Sequence, residues 1–190
     1  VFMNGRAGSS DSNVIDYVTI ASTGNASDFG DTTQGRMNTG ASSSSTRGIA
    51  GSGSNGSTGA VINIIDYITI GSTGNAADFG DLSASRGSIS SASSNIRALF
   101  GGGNGPSNVI DYVTIASTGN ATDFGDTGGT NASPNATSSS LRAIHTRAGA
   151  YSEIIEFVTI ATTGNSQDFG DLATEFNDGT GCSNVHGGLG

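Results

Sequence analysis

Short apolar runs rich in Val and Ile alternate along this chain with stretches of Gly, Ser and Thr, and no segment keeps the 3.6-residue rhythm of an amphipathic helix. In 14–20, Val14, Val18 and Ile20 share one face while Ile15, Tyr17 and Thr19 share the other. That period-2 pattern predicts a strand buried largely on both sides. "TGN" at 23–25 follows, and a Gly-Asn pair that tolerates positive φ predicts a tight turn. A short strand centred on Phe29 and ended by Gly30 comes next. Elsewhere "STRGIAGSG" at 45–53, "NIRALFGGG" at 95–103 and "SLRAIHTRAG" at 140–149 each predict one short strand. A Ser-rich stretch before each, such as "GSISSASSN" at 87–95, supplies a fourth, thin one.

These elements recur. "NVIDYVTIASTGNASDFGD" at 13–31 returns as "NIIDYITIGSTGNAADFGD" at 63–81, "NVIDYVTIASTGNATDFGD" at 108–126 and "EIIEFVTIATTGNSQDFGD" at 153–171. Tyr17, Tyr67, Tyr112 and Phe157 are separated by steps of 50, 45 and 45 residues. A period of that size with strand-like content predicts propeller blades rather than a helical solenoid. The same repetition disposes of a kinase-like reading of D-F-G, whose Asp would hold magnesium. One site needs one such Asp, and a chain without lysine has no phosphate-pairing lysine.

Composition narrows the function classes. Gly is 31 of 190 residues, aromatics are 6% and tryptophan is absent, which fits an all-β chain with many turns. The net charge is −9, and every positive side chain is an arginine. An acidic surface repels phosphate, so neither nucleic acid nor an anionic membrane is expected as a partner. The single cysteine, Cys182, excludes an internal disulfide. No stretch is long and apolar enough to predict membrane insertion. The start at Val1 is read as a processed product, a fragment or an incomplete trace.

"RALFGGG" at 97–103 followed by "VIDYVTIASTGNATDFGDT" at 109–127 resembles a kelch repeat. Gly101-Gly102 stands for the kelch double glycine, Tyr112 for the tyrosine of the third strand, and Phe124 for the large aromatic of the fourth. The blocks also resemble kelch-like virion structural or tail-associated proteins of marine cyanophages. The resemblance implies one all-β domain over 1–190: a small kelch-like propeller of four 45–50-residue repeats, four antiparallel strands per blade, without substantial helix. Val1-Phe2 aligns with Leu99-Phe100 and Leu189-Gly190 with Phe100-Gly101, so the chain starts and stops in the same phase. Ring closure follows as an expectation, with four blades of a larger ring or filament as the alternative. Tyr17, Tyr67, Tyr112, Phe157, Phe29, Phe79, Phe124 and Phe169 are the expected structural repeat residues.

An acid precedes each third-strand aromatic: Asp16, Asp66, Asp111 and Glu156. Arg47, Arg97, Arg142 and His186 open the second strands. A carboxylate ring around a cation is one reading; cross-strand pairs of Arg47 with Asp66, Arg97 with Asp111 and Arg142 with Glu156 are the preferred one. In a closed ring His186 would lie near Asp16. The Asp28/Asp31-type pairs are too few for a calcium cage, so no metal site is expected. Galactose oxidase also uses kelch blades, but Tyr17, Tyr67 and Tyr112 sit at repeat core positions, and Cys182 and His186 occupy slots held by Ser and Arg elsewhere. No G-x-S-x-G elbow is present. The expectation is a protein that is not an enzyme, with no catalytic residues and no cofactor.

Between the constant blocks, the loops after the second strand and after DFGD vary in length and wording, and in an up-and-down blade they share one face. Arg36, Arg86, Arg147, Tyr151, Asn55 and Asn104 are the candidate binding residues there, suited to sugars or to a protein partner. The function expected is a structural or adhesive part of an extracellular assembly, a phage virion appendage or tail-associated protein. Its partners would be other virion or surface-assembly proteins and cell-surface glycans. The alternative is a stand-alone carbohydrate-binding propeller.

Overall fold

A computed structural model describes residues 1–104, 107–131, 134–147, 152–174 and 181–183. The described residues form fifteen strands and no helix. The first sheet runs β1 (Phe2–Ala7), β2 (Ser10–Tyr17), β3 (Ser27–Asp31). The second runs β4 (Gly40–Ser43), β5 (Arg47–Ser54), β6 (Val61–Thr69), β7 (Ala77–Asp81). The third comprises β8 (Ser90–Ser93), β9 (Arg97–Gly101), β10 (Ser107–Thr114) and β11 (Thr122–Asn131). The fourth comprises β12 (Ala136–Ser138), β13 (Arg142–Thr146), β14 (Ile154–Thr159) and β15 (Gln167–Asp171). Each sheet is an antiparallel meander in chain order, and each thin Ser-rich segment supplies the first strand of its sheet.

Each DFGD motif carries a β-bulge. Ile65 pairs with Gly80 but Asp66 with Asp78, which leaves Phe79 as the extra residue, and the other three repeats slip at the same place. The first Asp of the motif holds the bend: Asp78 Oδ1 accepts the Gly80 N–H at 3.2 Å, as Asp28 does for Gly30 at 3.1 Å. The Phe ring meets the third-strand aromatic edge-on, with centroids 5.8 Å apart for Tyr67–Phe79 and Tyr112–Phe124.

Successive sheets join through one repeated junction. Gly119 N–H donates to Phe79 O at 2.7 Å, Ala121 N–H to Asp81 O at 2.8 Å, and Asp81 N–H to Asn120 Oδ1 at 3.1 Å. The same three bonds link Phe29 and Asp31 to Gly74–Ala76, and Phe124 and Asp126 to Gly164–Ser166. The TGN turn of one repeat thus caps the outer edge strand of the one before it. Contact is so close that a Cβ on Gly80 would lie 2.5 Å from the Gly119 carbonyl, and Gly80 sits at φ 142°; only glycine serves there. A serine ladder joins the first strands: Ser93 Oγ donates to Ser43 O, Ser138 Oγ to Ser93 O, and Ser183 Oγ to Ser138 O.

Apolar cores lie between sheets. The largest packs Ile49, Ile65, Phe79 and Leu82 of the second sheet side against Phe100, Val113 and Ile115 of the third. One expectation is corrected here. β2 ends at Tyr17 rather than running to Ile20, and Ile20 is 97% exposed where its counterpart Ile115 is 1% exposed. In the third and fourth sheets that position, Ile115 and Ile160, packs into the core shared with the sheet before, whereas Ile70 of the second sheet is still 37% exposed. The left-handed pair after the second strand is Gly102-Gly103, with φ 66° and 119°, and Ser52-Gly53 and Asn4-Gly5 take the same shape.

Candidate functional site

Among the described residues, the expected cross-strand pairs of Arg47 with Asp66, Arg97 with Asp111 and Arg142 with Glu156 do not form. Arg47 lies opposite Thr69, with its guanidinium 4.7 Å from the centroid of the Tyr67 ring, and it donates to Ile115 O of the next repeat at 2.8 Å. Arg97 stacks likewise on Tyr112 and donates to Ile160 O at 3.0 Å; Arg142 stacks on Phe157. The third-strand acids instead reach across the junction. Asp66 lies 2.9 Å from the Arg36 guanidinium and accepts from Thr33 Oγ1 at 2.6 Å. Asp111 pairs with Arg86 and accepts from Ser83 Oγ at 2.8 Å. The pairings of Asp66 and Asp111 with Arg47 and Arg97 are therefore replaced by ion pairs with the loop that follows the preceding DFGD, and Glu156 pairs instead with His145 and Arg147.

That geometry relocates two candidate binding residues. Arg36 and Arg86 are 0% and 2% exposed, so they do not project from a loop face. A five-residue step after the last Asp of DFGD carries the guanidinium inward, where a carboxylate compensates its desolvation. Burial lowers the Arg86 guanidinium from its ordinary value, opposed by the charge and hydrogen bond of Asp111. In the third repeat the same step reaches Asn131, and Arg147 provides the guanidinium from another direction. It donates to Glu156 Oε1 at 2.6 Å, His145 Nε2 lies 3.2 Å from Oε2, and Gly128 N–H donates at 3.1 Å. Burial pushes the Glu156 carboxyl up, but His145 and Arg147 outweigh it and hold the pKa at about 2.

Of the remaining candidates, Asn55 caps its own loop, with Oδ1 accepting from Thr58 N–H at 2.9 Å and from Ser57 N–H at 3.0 Å. Asn104 is exposed and donates to Ser88 Oγ at 3.2 Å. Tyr151 and His186 lie outside the described residues, as does the expected closeness of His186 to Asp16. The variable loops are bonded to one another: Ser88 N–H donates to Asn38 O at 3.0 Å and Asn104 N–H to Gly87 O at 2.7 Å. On the described surface, residues 94–97, 140–141 and 160–161 line a groove of about 470 Å³ flanked by the exposed side chains of Ile96 and Leu141. Sequence reasoning missed this groove because its two walls come from turns 45 residues apart. Compared with known proteins, the chain matches no family model and no curated protein significantly.

Proposed function

We propose that this chain is a non-enzymatic structural or adhesive component of an extracellular assembly, a phage virion appendage or tail-associated protein. Its sheets are read as kelch-like propeller blades. One observation carries the reading: at the junctions between successive sheets, the repeated acids, arginines and aromatics are engaged in holding sheet to sheet. Asp66 with Arg36, Asp111 with Arg86, and Glu156 with the Gly128 N–H are junction clamps, and Arg47 and Arg97 tie Tyr67 and Tyr112 to the next repeat. The groups most able to do chemistry are thereby spent on rigidity. What faces solvent is acidic and rich in Gly, Ser and Thr, suited to a durable particle exterior. Mass spectrometry of purified particles tests this. Peptides of the chain should be enriched in the particle fraction, and their confinement to soluble cell extract would sink the proposal.

A second reading is a carbohydrate-binding module, favoured by the groove beside Ile96 and Leu141. Apolar flanks with Ser94, Asn95 and Ser140 suit the apolar face and hydroxyls of a sugar. A glycan array decides it: a saturable signal lost in Leu141→Asp supports it, and a blank array removes it.

A further inference from the structure

The first and last repeats of this chain carry the two halves of the junction that joins successive repeats three times. At the tail, Phe169 is 51% exposed, whereas Phe29, Phe79 and Phe124 are buried under the TGN turn of the following repeat. A Cβ on Gly170 would meet nothing within 4 Å, where those on Gly30, Gly80 and Gly125 would strike the carbonyl of Gly74, Gly119 and Gly164. Beside Phe169, a shallow apolar hollow of about 180 Å³ is lined by Ile144, Ile155 and Leu172. These are the counterparts of Leu99, Ile110 and Thr127, and of Ile49, Ile65 and Leu82, all of which are buried.

The head shows the complementary surface. Phe2, Val18 and Ile20 are exposed, while their counterparts in the third repeat, Phe100, Val113 and Ile115, cover Ile49, Ile65 and Leu82 of the sheet before. Ala26 is exposed where Ala76 and Ala121 pack against Phe29 and Phe79 in the interior cores. The Asp16 carboxylate has no hydrogen bond or ion pair among the described residues, whereas the matching Asp66, Asp111 and Glu156 accept N–H groups from Thr33, Ser83 and Gly128. The tail holds the next N–H of that series, on Ala173. Sheet composition agrees. Beside the head, a groove of about 300 Å³ is lined by Met3, Ile49, Ile68 and Ile70, and the first sheet pairs three strands where the others pair four. Beyond β12, Ser183 is already bonded to Ser138 as the next rung of the first-strand ladder.

We infer that the tail of one copy, built on Phe169 and Asp171, receives the head of a second copy through its Thr23–Ala26 turn. Copies join head to tail by the same junction that joins repeats within the chain. Phe169 O accepts the Gly24 N–H, Asp171 N–H donates to Asn25 Oδ1, and Ala26 N–H donates to Asp171 O. Phe2, Val18 and Ile20 close over Ile144, Ile155 and Leu172. Such a contact is heterologous, so it propagates to a filament or closes into a ring of several copies. The inference deepens the assembly reading by naming a partner. It is separable from that reading, because association in solution and location in a particle are measured independently.

Sedimentation and light scattering of the full chain over a concentration series test it. The average mass should rise above 18.7 kDa with concentration. Ala26→Arg, at an exposed position, and Phe169→Asp should each hold the protein at the chain mass. Asn25→Ala should weaken association by about tenfold, the equivalent of one hydrogen bond. An equimolar mixture of Ala26→Arg and Phe169→Asp should give dimers and nothing larger, because one free tail meets one free head. If Phe169→Asp fails to fold, the head variants still decide: undiminished association of Ala26→Arg overturns the inference. A wild-type chain that stays at its own mass at every concentration overturns it too, and so does a Phe169→Asp variant that dimerises alone.

Discussion

Gly80→Ala and Gly170→Ala together measure what a junction is worth. Both glycines end a Phe bulge at nearly the same dihedral, φ 142° and 139°, so the added Cβ costs the same backbone strain at each, about 1–3 kcal/mol. They differ in what the Cβ meets: the Gly119 carbonyl at 2.5 Å for Gly80, and nothing within 4 Å for Gly170. At Gly80 the turn must back away. Doing so stretches the Gly119–Phe79 and Ala121–Asp81 hydrogen bonds and loosens the cover of Phe79. Overpacking of this kind costs a further ~1–3 kcal/mol. The assay is urea and thermal unfolding followed by circular dichroism, with both substitutions made in the Ala26→Arg background to suppress association. Gly80→Ala should lose about 1–3 kcal/mol more than Gly170→Ala, and each kcal/mol should lower Tm by about 2–4 °C in a chain of this size. Equal losses at the two sites would refute the argument that close approach, rather than φ alone, dictates glycine in DFGD.

Two further outcomes follow from the buried charges. The Glu156 carboxyl is held at about 2 against an ordinary 4.5, so its clamp contributes fully above pH 4.5 and is lost as pH falls from 4.5 towards 2. Glu156→Gln should flatten that limb of the stability–pH curve by a few kcal/mol, and an unchanged acid limb would contradict the cluster geometry. Arg86→Met leaves Asp111 buried without its counter-charge and should cost about 3–5 kcal/mol in urea unfolding, much of it recovered in Arg86→Met/Asp111→Leu. A double variant no more stable than the single one would show that the acid matters for more than its pairing.

The chain's periodicity made the strands, the turns and the four-unit organisation legible before any tertiary information. Strand signals are local: alternation in 61–69 or 107–114 and a TGN turn depend on residues a few places apart. The aromatic positions recur with the same period, and in the structure Tyr67–Phe79 and its three equivalents meet edge-on. The partners of charged side chains were not readable. Arg47 and Asp66 looked like neighbours across a hairpin, yet the bulge at Phe79 and the inward course of the loop after Asp31 gave Asp66 to Arg36, 30 residues away in the preceding repeat. Arg36 and Arg86 lie buried for that reason: a variable loop can be variable and still point inward.

Sequence alone therefore determined the content of each repeat, because hydrogen-bond alternation and turn chemistry act over a few residues. Only the tertiary structure decided how one repeat meets the next. The close approach that demands Gly80, the desolvation that draws Arg86 onto Asp111, and the exposure that separates Phe169 from Phe124 all arise between sheets. Identical words in the sequence thus acquire different environments. Phe124 is core and Phe169 is surface because burial belongs to the pair of repeats, not to the repeat.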